Sequence, residues 1–419
     1  MGYVLIGGFI LLIVVGLPIA IAIGLASLLG LGLFTDVPLA LASQRMLAGL
    51  RSFPLLAIPL FVLAGAIMNA GGITRRLVDF AFALVGPMKG GLSAVNVVTN
   101  MIFGGISGSA VADAGSVGRV LIPQMKNRGY SPGYAASVTA TASTIALVIP
   151  PSITLILYGV TAEVSISDLF FHGLYIGLGF GLVYVITGWL IARARNYPSE
   201  PRMNGRQALS ALGKALPSLS IPVVVLGGIR IGVFTATEGA AVAVLIALIL
   251  AGLVYRELTV AKIKEVFRET LMLVAAIMMI IAMAQIYSWA LVAGSIPQSI
   301  ASTILEITAN PYLILLLTNI LLLAVGAVME GNAAIIIFTP ILLPVVTAAG
   351  IDPVHFGLIV VINLAIGLLT PPVGISLLIT TKIADISMEK TIRDLIPWLG
   401  TALGLLMVVS YAPLILGLY

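Results

Sequence analysis

The sequence has no cysteine, only two histidines and few charged residues of either sign. Without cysteine the chain can form neither a disulfide nor a thiolate metal site. Charged residues make up 9% of its 419 residues, whereas a soluble domain carries about 25%. Since so few charges cannot cover a water-facing surface, we expect lipid to be the solvent around most of the chain.

Motifs of enzymes and of nucleotide-driven pumps are also absent from the sequence. It contains no HExxH pattern, no pair of neighbouring histidines, and no GxxxxGKS or GxxxxGKT phosphate-binding loop. An intramembrane enzyme would need a nucleophile with its base, or a metal cluster, so we expect no enzymatic activity. His172 and His355 lie far apart in the sequence, and we interpret both as interfacial or core residues. Because the chain is so apolar, its net charge of +5 is not evidence for a nucleic-acid partner, and we expect none.

Apolar stretches of about 20 residues recur from end to end, long enough to cross a hydrocarbon core about 30 Å thick. They are continuous runs of Leu, Ile, Val and Ala, so they predict helices and not the alternating strands of a barrel. The first run, MGYVLIGGFILLIVV, lacks a basic segment and a cleavage site, so we predict a retained first span. The expected fold class is an all-α polytopic membrane protein with about ten transmembrane helices. These are predicted at 3–17, 19–34, 53–70, 132–160, 169–192, 215–233, 236–254, 269–292, 352–381 and 395–417.

Basic residues indicate which loops face the cytoplasm, because Lys and Arg concentrate there in membrane proteins. Five clusters hold all of the 21 basic residues except Arg45, Arg51 and Arg230. The clusters are Arg75, Arg76 and Lys89; Arg119, Lys126 and Arg128; Arg193 to Lys214; Arg256 to Arg268; and Lys382 to Arg393. If all five are cytoplasmic, residues 90–128 and 311–349 each begin and end on one side of the membrane. We therefore predict two re-entrant helical hairpins that open to opposite sides, with both chain termini outside.

The two halves of the sequence repeat the same pattern of proline and glycine. A shift of 221 residues brings Pro123 onto Pro344 and the pair Pro150–Pro151 onto Pro371–Pro372. Because the hairpins open to opposite sides, these repeats have inverted topology, which is typical of secondary transporters. The first repeat is predicted to be 1–210, with scaffold helices 1–70, hairpin 90–128, broken helix 132–160 and helix 169–192. The second is predicted to be 211–419, with scaffold helices 215–292, hairpin 311–349, broken helix 352–381 and helix 395–417.

Two proline pairs interrupt apolar helices at corresponding positions, in ALVIPPSITL (146–155) and in GLLTPPVGIS (367–376). Proline removes a backbone donor and clashes with the preceding turn, so two in succession should unwind the helix. The freed carbonyl groups can bind a cation, and the half-helix that follows presents N–H groups to an anion. A simple kink is the structural alternative, but two matching breaks in an inverted repeat favour a transport site.

The hairpin tips carry small and polar residues, in FGGISGSAVADAG (103–115) and in GAVMEGNAA (326–334). Hydroxyl oxygens of Ser107 and Ser109 at the first tip, and Glu330 with Asn332 at the second, suit a hard cation such as sodium. Close helix packing also explains some of the small residues. Asp113, just past the first tip, and Glu330 either help to organise a cation site or have a structural role.

Three other polar motifs are interpreted as helix starts and not as binding sites. Thr235 and Glu238 fit a capping box. Ser131–Pro132 and Asp352–Pro353 fit an N-cap followed by proline in the first turn.

Several segments together resemble the large membrane subunit of tripartite ATP-independent periplasmic (TRAP) transporters. They are GGISGSAVADAGSVGRVLIPQM, IPPSITLILYGV, FTPILLPVVTAAGIDPVHFGLI, LTPPVG, SFPLLAIPLFVLAG and FTATEGAAVAV. The resemblance covers the chain and implies an elevator transporter in the bacterial inner membrane, with a mobile domain built from both hairpins and both broken helices. It also implies sodium as the coupling ion, an organic acid of the sialic acid or dicarboxylate class as substrate, a periplasmic binding protein, and a separate small four-helix membrane subunit.

The resemblance also implies where the ligands bind. One cation site falls on Ser107, Gly108, Ser109 and Pro150, with Asp113 nearby, and the other on Gly331, Asn332, Thr370 and Pro371, with Glu330 nearby. The substrate is expected at Ser107, Ser152, Asn332 and Gly374. A stand-alone sodium-coupled dicarboxylate carrier of similar architecture, working without a binding protein, stays open as the alternative.

Overall fold

The computed structural model describes residues 1–35, 38 and 40–417, and these residues are largely helical. A π-helical turn, Tyr3–Gly7, leads into the first helix. The α-helices of the described residues are α1 (Gly8–Val14), α2 (Ile19–Phe34), α3 (Ala40–Leu50), α4 (Ala57–Ala70), α5 (Ile73–Val85), α6 (Gly91–Ser107), α7 (Ala110–Asn127), α8 (Pro132–Ser143), α9 (Ile153–Thr161), α10 (Ile166–Ala194), α11 (Gly205–Arg230), α12 (Ala236–Leu248), α13 (Val260–Ala293), α14 (Ile296–Ile307), α15 (Pro311–Val328), α16 (Gly331–Ala348), α17 (Pro353–Gly367), α18 (Ile375–Ala384) and α19 (Ile392–Ile415).

Eight helical segments of the described residues are long and apolar enough to cross a membrane. They are Phe53–Ala70, Ile166–Ala194, Gly205–Arg230, Ala236–Val254, Val260–Ala293, Pro311–Val328, Gly331–Ala348 and Glu389–Ile415. The prediction of an all-α polytopic membrane protein is confirmed. Two of the eight segments are the arms of the second hairpin, and α2 is among the shorter apolar helices.

Both predicted helical hairpins are present. α6 and α7 are joined through Gly108 and Ser109, and α15 and α16 are joined through Met329 and Glu330. Their outer limits nearly coincide with the predicted 90–128 and 311–349. The sides of the membrane to which they open remain a prediction.

Three helices lie where the sequence analysis placed connections, and that interpretation was wrong for each. α3 lies between the predicted helices 19–34 and 53–70, while α5 and α14 precede the two hairpins. They were missed because each is shorter than a membrane span and carries polar residues. In α5, Ile73, Leu77 and Val78 are buried, so this helix is held by one apolar face.

The helix limits follow the shift of 221 residues found in the sequence. Shifted by that amount, α7 covers 331–348, the same limits as α16. The short helix α5 likewise falls close to α14. The division of the chain into inverted repeats 1–210 and 211–419 remains a prediction that these limits support.

The three predicted helix starts are confirmed. Ser131 accepts a hydrogen bond from the Tyr134 amide in the first turn of α8. Asp352 accepts one from the His355 amide at 2.9 Å in α17. Thr235 and Glu238 form the capping box that begins α12.

Around the broken helices, each half of the fold packs a helix against the other half. α9, which follows the first break, packs against α16 of the second hairpin. α18, which follows the second break, packs against α7 of the first hairpin and against α8. Lys126 at the end of α7 donates a hydrogen bond to the Ala384 carbonyl at the end of α18, at 2.8 Å. The hairpins and broken helices therefore form one packed unit, and α13 lies beside it against α16.

Candidate functional site

The first hairpin tip is a tight turn stabilised by its own polar side chains. Ser107 ends α6, Gly108 adopts a left-handed conformation with φ +61°, and Ser109 caps α7. The Ser107 hydroxyl donates to Oδ1 of Asp113, and the Ser109 amide donates to the Ser107 oxygen at 3.3 Å. The Asp113 side chain is fully buried, and its Oδ2 has no hydrogen-bond partner within the described residues. This tip therefore places an unpaired carboxylate oxygen beside two serines.

The first tip lies directly against the first proline break. A Cβ atom added to Gly108 would be 2.6 Å from the Pro151 carbonyl oxygen, and one added to Gly104 would be 2.8 Å from Cα of Ala146. The corresponding position on Gly105 is 3.5 Å from the Pro150 oxygen. Only residues without a side chain permit so close an approach of two backbones. The structure thus brings together the first set of predicted cation-site residues, from both the tip and the break.

The second tip is capped by a carboxylate. Glu330 precedes α16, and its Oε2 accepts a hydrogen bond from the Ala333 amide at 3.1 Å. Its Oε1 accepts one from Nδ2 of Asn332 at 2.7 Å. The capping role explains Glu330 structurally, and the same contact fixes the orientation of the Asn332 side chain beside the tip.

The second hairpin approaches the second broken helix through glycine. A Cβ atom on Gly367, at the end of α17, would lie 2.4 Å from the Gly326 oxygen in α15. The contact is therefore backbone against backbone, as at the first tip. Gly331 lies beside Leu364, where a Cβ would be 3.8 Å from the leucine Cβ.

Both proline pairs interrupt their helices as predicted, and both Pro–Pro peptide bonds are cis. After the first break, Ser152 caps α9, donating to the Leu147 carbonyl at 2.6 Å and accepting from the Leu155 amide at 3.3 Å. After the second break, Gly374 precedes α18 with φ +44°.

The second break carries two further polar side chains. Thr370 donates back to the Ile366 carbonyl at 2.9 Å. The Ser376 hydroxyl, in the first turn of α18, is buried without a hydrogen-bond partner in the described residues.

One cavity of about 500 Å³ lies between the two tips. Its polar lining comes from both hairpins and from α9, and its apolar lining includes residues of α13. The residues that the tips and half-helices contribute include Gly108, Ser109, Ile153, Thr154, Glu330, Gly331, Asn332 and Ile375. Because α9 and α18 both begin at this cavity, the N-terminal ends of two half-helices meet there, which favours an anion.

The predicted substrate residues separate into two groups. Asn332 lines the cavity, and Gly374 directly precedes Ile375, which also lines it. Ser107 lines a smaller adjoining cavity, and Ser152 is buried within the cap of α9. Thr154 and the α13 residues, among them Leu273 and Ile277, were missed, because apolar residues in a long helix give no sequence signal for a site.

Any cation held at the tips would be bound mainly by oxygen atoms of the backbone and of single side chains. In the part of the chain that the structure describes, no group of three or more His, Cys, Asp or Glu side chains is arranged to hold a metal ion. The two histidines do meet in space, because His172 and His355 line one cavity of about 660 Å³ with Asp168 and Asp352. Their separation in the sequence concealed this proximity.

A helical membrane protein with two hairpin tips and two broken helices around one cavity belongs to the class of membrane transport proteins. The comparisons with known proteins make the assignment specific. The family model described as "Tripartite ATP-independent periplasmic transporter, DctM component" matches residues 6–415. The chain belongs to this family, and is therefore a multi-pass protein of the bacterial inner membrane that takes up solute with a binding protein.

Curated relatives agree with this assignment. The large permease protein of a C4-dicarboxylate TRAP transporter from Pseudomonas aeruginosa is 41% identical, covering 86% of this chain and 84% of that protein. The large permease protein of a sialic acid TRAP transporter from Vibrio cholerae is 37% identical, covering 97% and 95%. These relatives are transporter permeases, which is consistent with the expectation of no enzymatic activity.

A solved structure supports the fold alone. The YdaH transporter of Alcanivorax borkumensis, whose crystal structure shows an unusual topology, matches with a TM-score of 0.60 and 13% identity over 96% of each chain. The family match along the whole chain, in contrast, favours the tripartite transporter over the stand-alone carrier.

Proposed function

We propose that this chain carries out sodium-coupled secondary active uptake of an organic acid of the sialic acid or dicarboxylate class. The observation that supports it is the single cavity lined by both hairpin tips and by the starts of α9 and α18. An organic anion held there would face two half-helix N-termini, while a cation at each tip would face serine, asparagine and backbone oxygens.

Sodium sites are proposed at the two contacts between a tip and a break. The first would use Ser107, Gly108, Ser109 and Pro150, next to Oδ2 of Asp113, which has no hydrogen-bond partner within the described residues. The second would use Gly331, Asn332, Thr370 and Pro371, with Glu330 orienting Asn332. Moving one net charge down 100 mV releases about 2.3 kcal/mol, so two sodium ions would supply about 4.6 kcal/mol from the membrane potential with a neutral substrate, and an anionic substrate would cancel part of it.

We propose an elevator mechanism, which the packing supports. Both hairpins and both broken helices form one unit through the contacts of α9 with α16 and of α18 with α7. We propose that this unit carries the cavity across the membrane against a scaffold that includes α4, α12 and α13, two of which, α4 and α12, pack closely together. Substrate would arrive from a periplasmic binding protein, and a small four-helix membrane subunit would complete the complex.

Uptake into proteoliposomes that hold this chain with its small subunit tests the proposal. The assay uses labelled succinate and labelled N-acetylneuraminate, an inward sodium gradient, and the binding protein outside. We expect uptake of one anion that requires both sodium and the binding protein. Equal uptake of free substrate without any binding protein would favour a stand-alone carrier, and equal uptake in sodium-free medium would refute sodium coupling.

A further inference from the structure

A second cavity, of about 210 Å³, adjoins the one between the hairpin tips. Ser109, Val111, Ala112, Ile153 and Leu273 line both of them, so the two spaces share a wall of side chains. The smaller cavity extends away from the tips between α4, α7 and α13. It therefore leads along the first hairpin toward Lys126 and Arg128, which belong to a predicted cytoplasmic cluster.

The smaller cavity is lined in part by charged and polar side chains. Arg119 projects from α7 and Glu269 from α13, and both side chains are exposed. Asn69 and Ser116 lie in the same lining. Arg119 is nine residues beyond the start of α7, which places it about 14 Å from the tip along the helix axis.

The Arg119 guanidinium bonds to its own helix and takes part in no ion pair within the described residues. Its Nε donates to the Gly115 carbonyl at 3.0 Å, which directs the side chain along α7 toward the tip. The three ion pairs found in the described residues include neither Arg119 nor Glu269. A guanidinium whose N–H groups face a cavity is suited to bind a carboxylate with two parallel hydrogen bonds.

We propose that the smaller cavity is a transient binding site for the carboxylate of the transported anion on its way to the cytoplasm. Arg119 binds the carboxylate, and Asn69 and Ser116 offer neutral hydrogen bonds. Glu269 on the opposite wall offsets the arginine charge, so that the anion is bound weakly enough to leave. This inference rests on the proposed uptake of an organic acid and adds a specific exit site to it.

The rates at which charged reagents label a single cysteine test this site. The test does not require the substrate to be known. The natural chain has no cysteine, so Ala112→Cys, in the wall shared by both cavities, supplies one reporter thiol. The whole complex in inside-out vesicles is treated with anionic 2-sulfonatoethyl methanethiosulfonate or with its cationic trimethylammonium analogue, and labelling is measured on this chain alone. Because both reagents attack the same thiolate, the ratio of their rates reports the local potential.

We expect Arg119→Gln to lower the anionic-to-cationic rate ratio about tenfold and Glu269→Gln to raise it about tenfold. The double variant should return close to the parent ratio. Arg75→Gln is the matched control. Arg75 is also an exposed arginine of a predicted cytoplasmic cluster, but its side chain lines neither cavity. A ratio unchanged by Arg119→Gln, or changed equally by Arg75→Gln, would overturn the inference.

Protection completes the test. A transported anion, succinate or N-acetylneuraminate, should slow labelling of Ala112→Cys in the parent and in Arg75→Gln, and should slow it clearly less in Arg119→Gln, where only the cavity between the tips still binds the anion. Equal protection in all three would overturn the role of Arg119. If the complex transports neither anion, the proposed function fails by its own uptake assay, while the rate ratios still decide whether Arg119 and Glu269 set the potential. Val111→Cys, which lines both cavities too, replaces Ala112→Cys if that variant does not assemble.

Discussion

The hydroxyl of Ser107 donates a hydrogen bond to the carboxylate of Asp113 inside the first hairpin tip, and both side chains are buried. This pair links the end of α6 to the first turn of α7. It also leaves one carboxylate oxygen without a partner in the described residues, directly beside the proposed cation site. The pair that stabilises the tip therefore consists of Ser107, a proposed sodium ligand, and Asp113, which lies next to the proposed sodium site.

Ser107→Ala should destabilise the complex by about 1–3 kcal/mol, because it removes the described partner of a buried carboxyl group. Asp113→Asn in the same background should recover part of the loss, since the amide carries no charge to bury. A double-mutant cycle on thermal unfolding in detergent measures the coupling. Additive effects of the two substitutions would show that the hydrogen bond contributes nothing to stability.

Gly108→Ala should be the most damaging conservative change at the first tip. The left-handed conformation costs about 1–3 kcal/mol for a residue with a side chain, and the new Cβ would lie 2.6 Å from the Pro151 oxygen. We expect a lower unfolding temperature and a loss of uptake. Gly179→Ala in α10 is the matched control, because nothing lies within 4 Å of its Cβ position. Equal effects of the two variants would contradict the close contact between tip and break.

Ser109→Ala and Asn332→Ala should raise the sodium concentration that gives half-maximal uptake, while the protein still inserts and assembles. A polar side chain that serves only as helix packing contributes about 0.6–2 kcal/mol of stability and does not affect sodium dependence. Thr347→Ala on α16 is the control, since its hydroxyl only donates to the Leu343 and Pro344 carbonyls of its own helix. Sodium titrations that match the parent in both tip variants would return the tips to a packing role.

Single cysteines should report the topology without interference, because the natural chain has none. A cysteine at Asn127, between Lys126 and Arg128 at the end of the first hairpin, should react only from the cytoplasm. A cysteine at Ala348, the last residue of α16, should react only from the periplasm. Labelling of both from the same side would refute the inverted repeat.

The sequence was sufficient for the elements that depend on backbone chemistry. Proline pairs, glycine-rich tips and N-caps impose local geometry, so both hairpins, both breaks and all three caps were found where they were predicted. The shift between Pro123 and Pro344 likewise reappears in the limits of α7 and α16. These signals act over a few residues and do not depend on the rest of the fold.

The remaining features depend on tertiary packing and could not be predicted in this way. The sequence placed α3 in a connection because its polar residues mask the pattern of a short helix. In the structure Arg45 of α3 lies over the Trp289 ring, 5.5 Å from the ring centre. The α13 wall of the cavity is made of apolar residues that resemble any membrane helix. The meeting of Arg119 and Glu269 at one cavity joins positions 150 residues apart, which no local pattern reveals.

The exchange of α9 and α18 between the two halves has a consequence for how the protein is made. α7 leaves the ribosome long before α18, and their ends are joined by the hydrogen bond from Lys126 to Ala384, 258 residues further along. During translation the surface of α7 that contacts α18 therefore stays uncovered until the second half has been inserted. Ribosome pausing or truncation between the halves should expose this intermediate to membrane proteases, and a second half supplied as a separate polypeptide should rescue it.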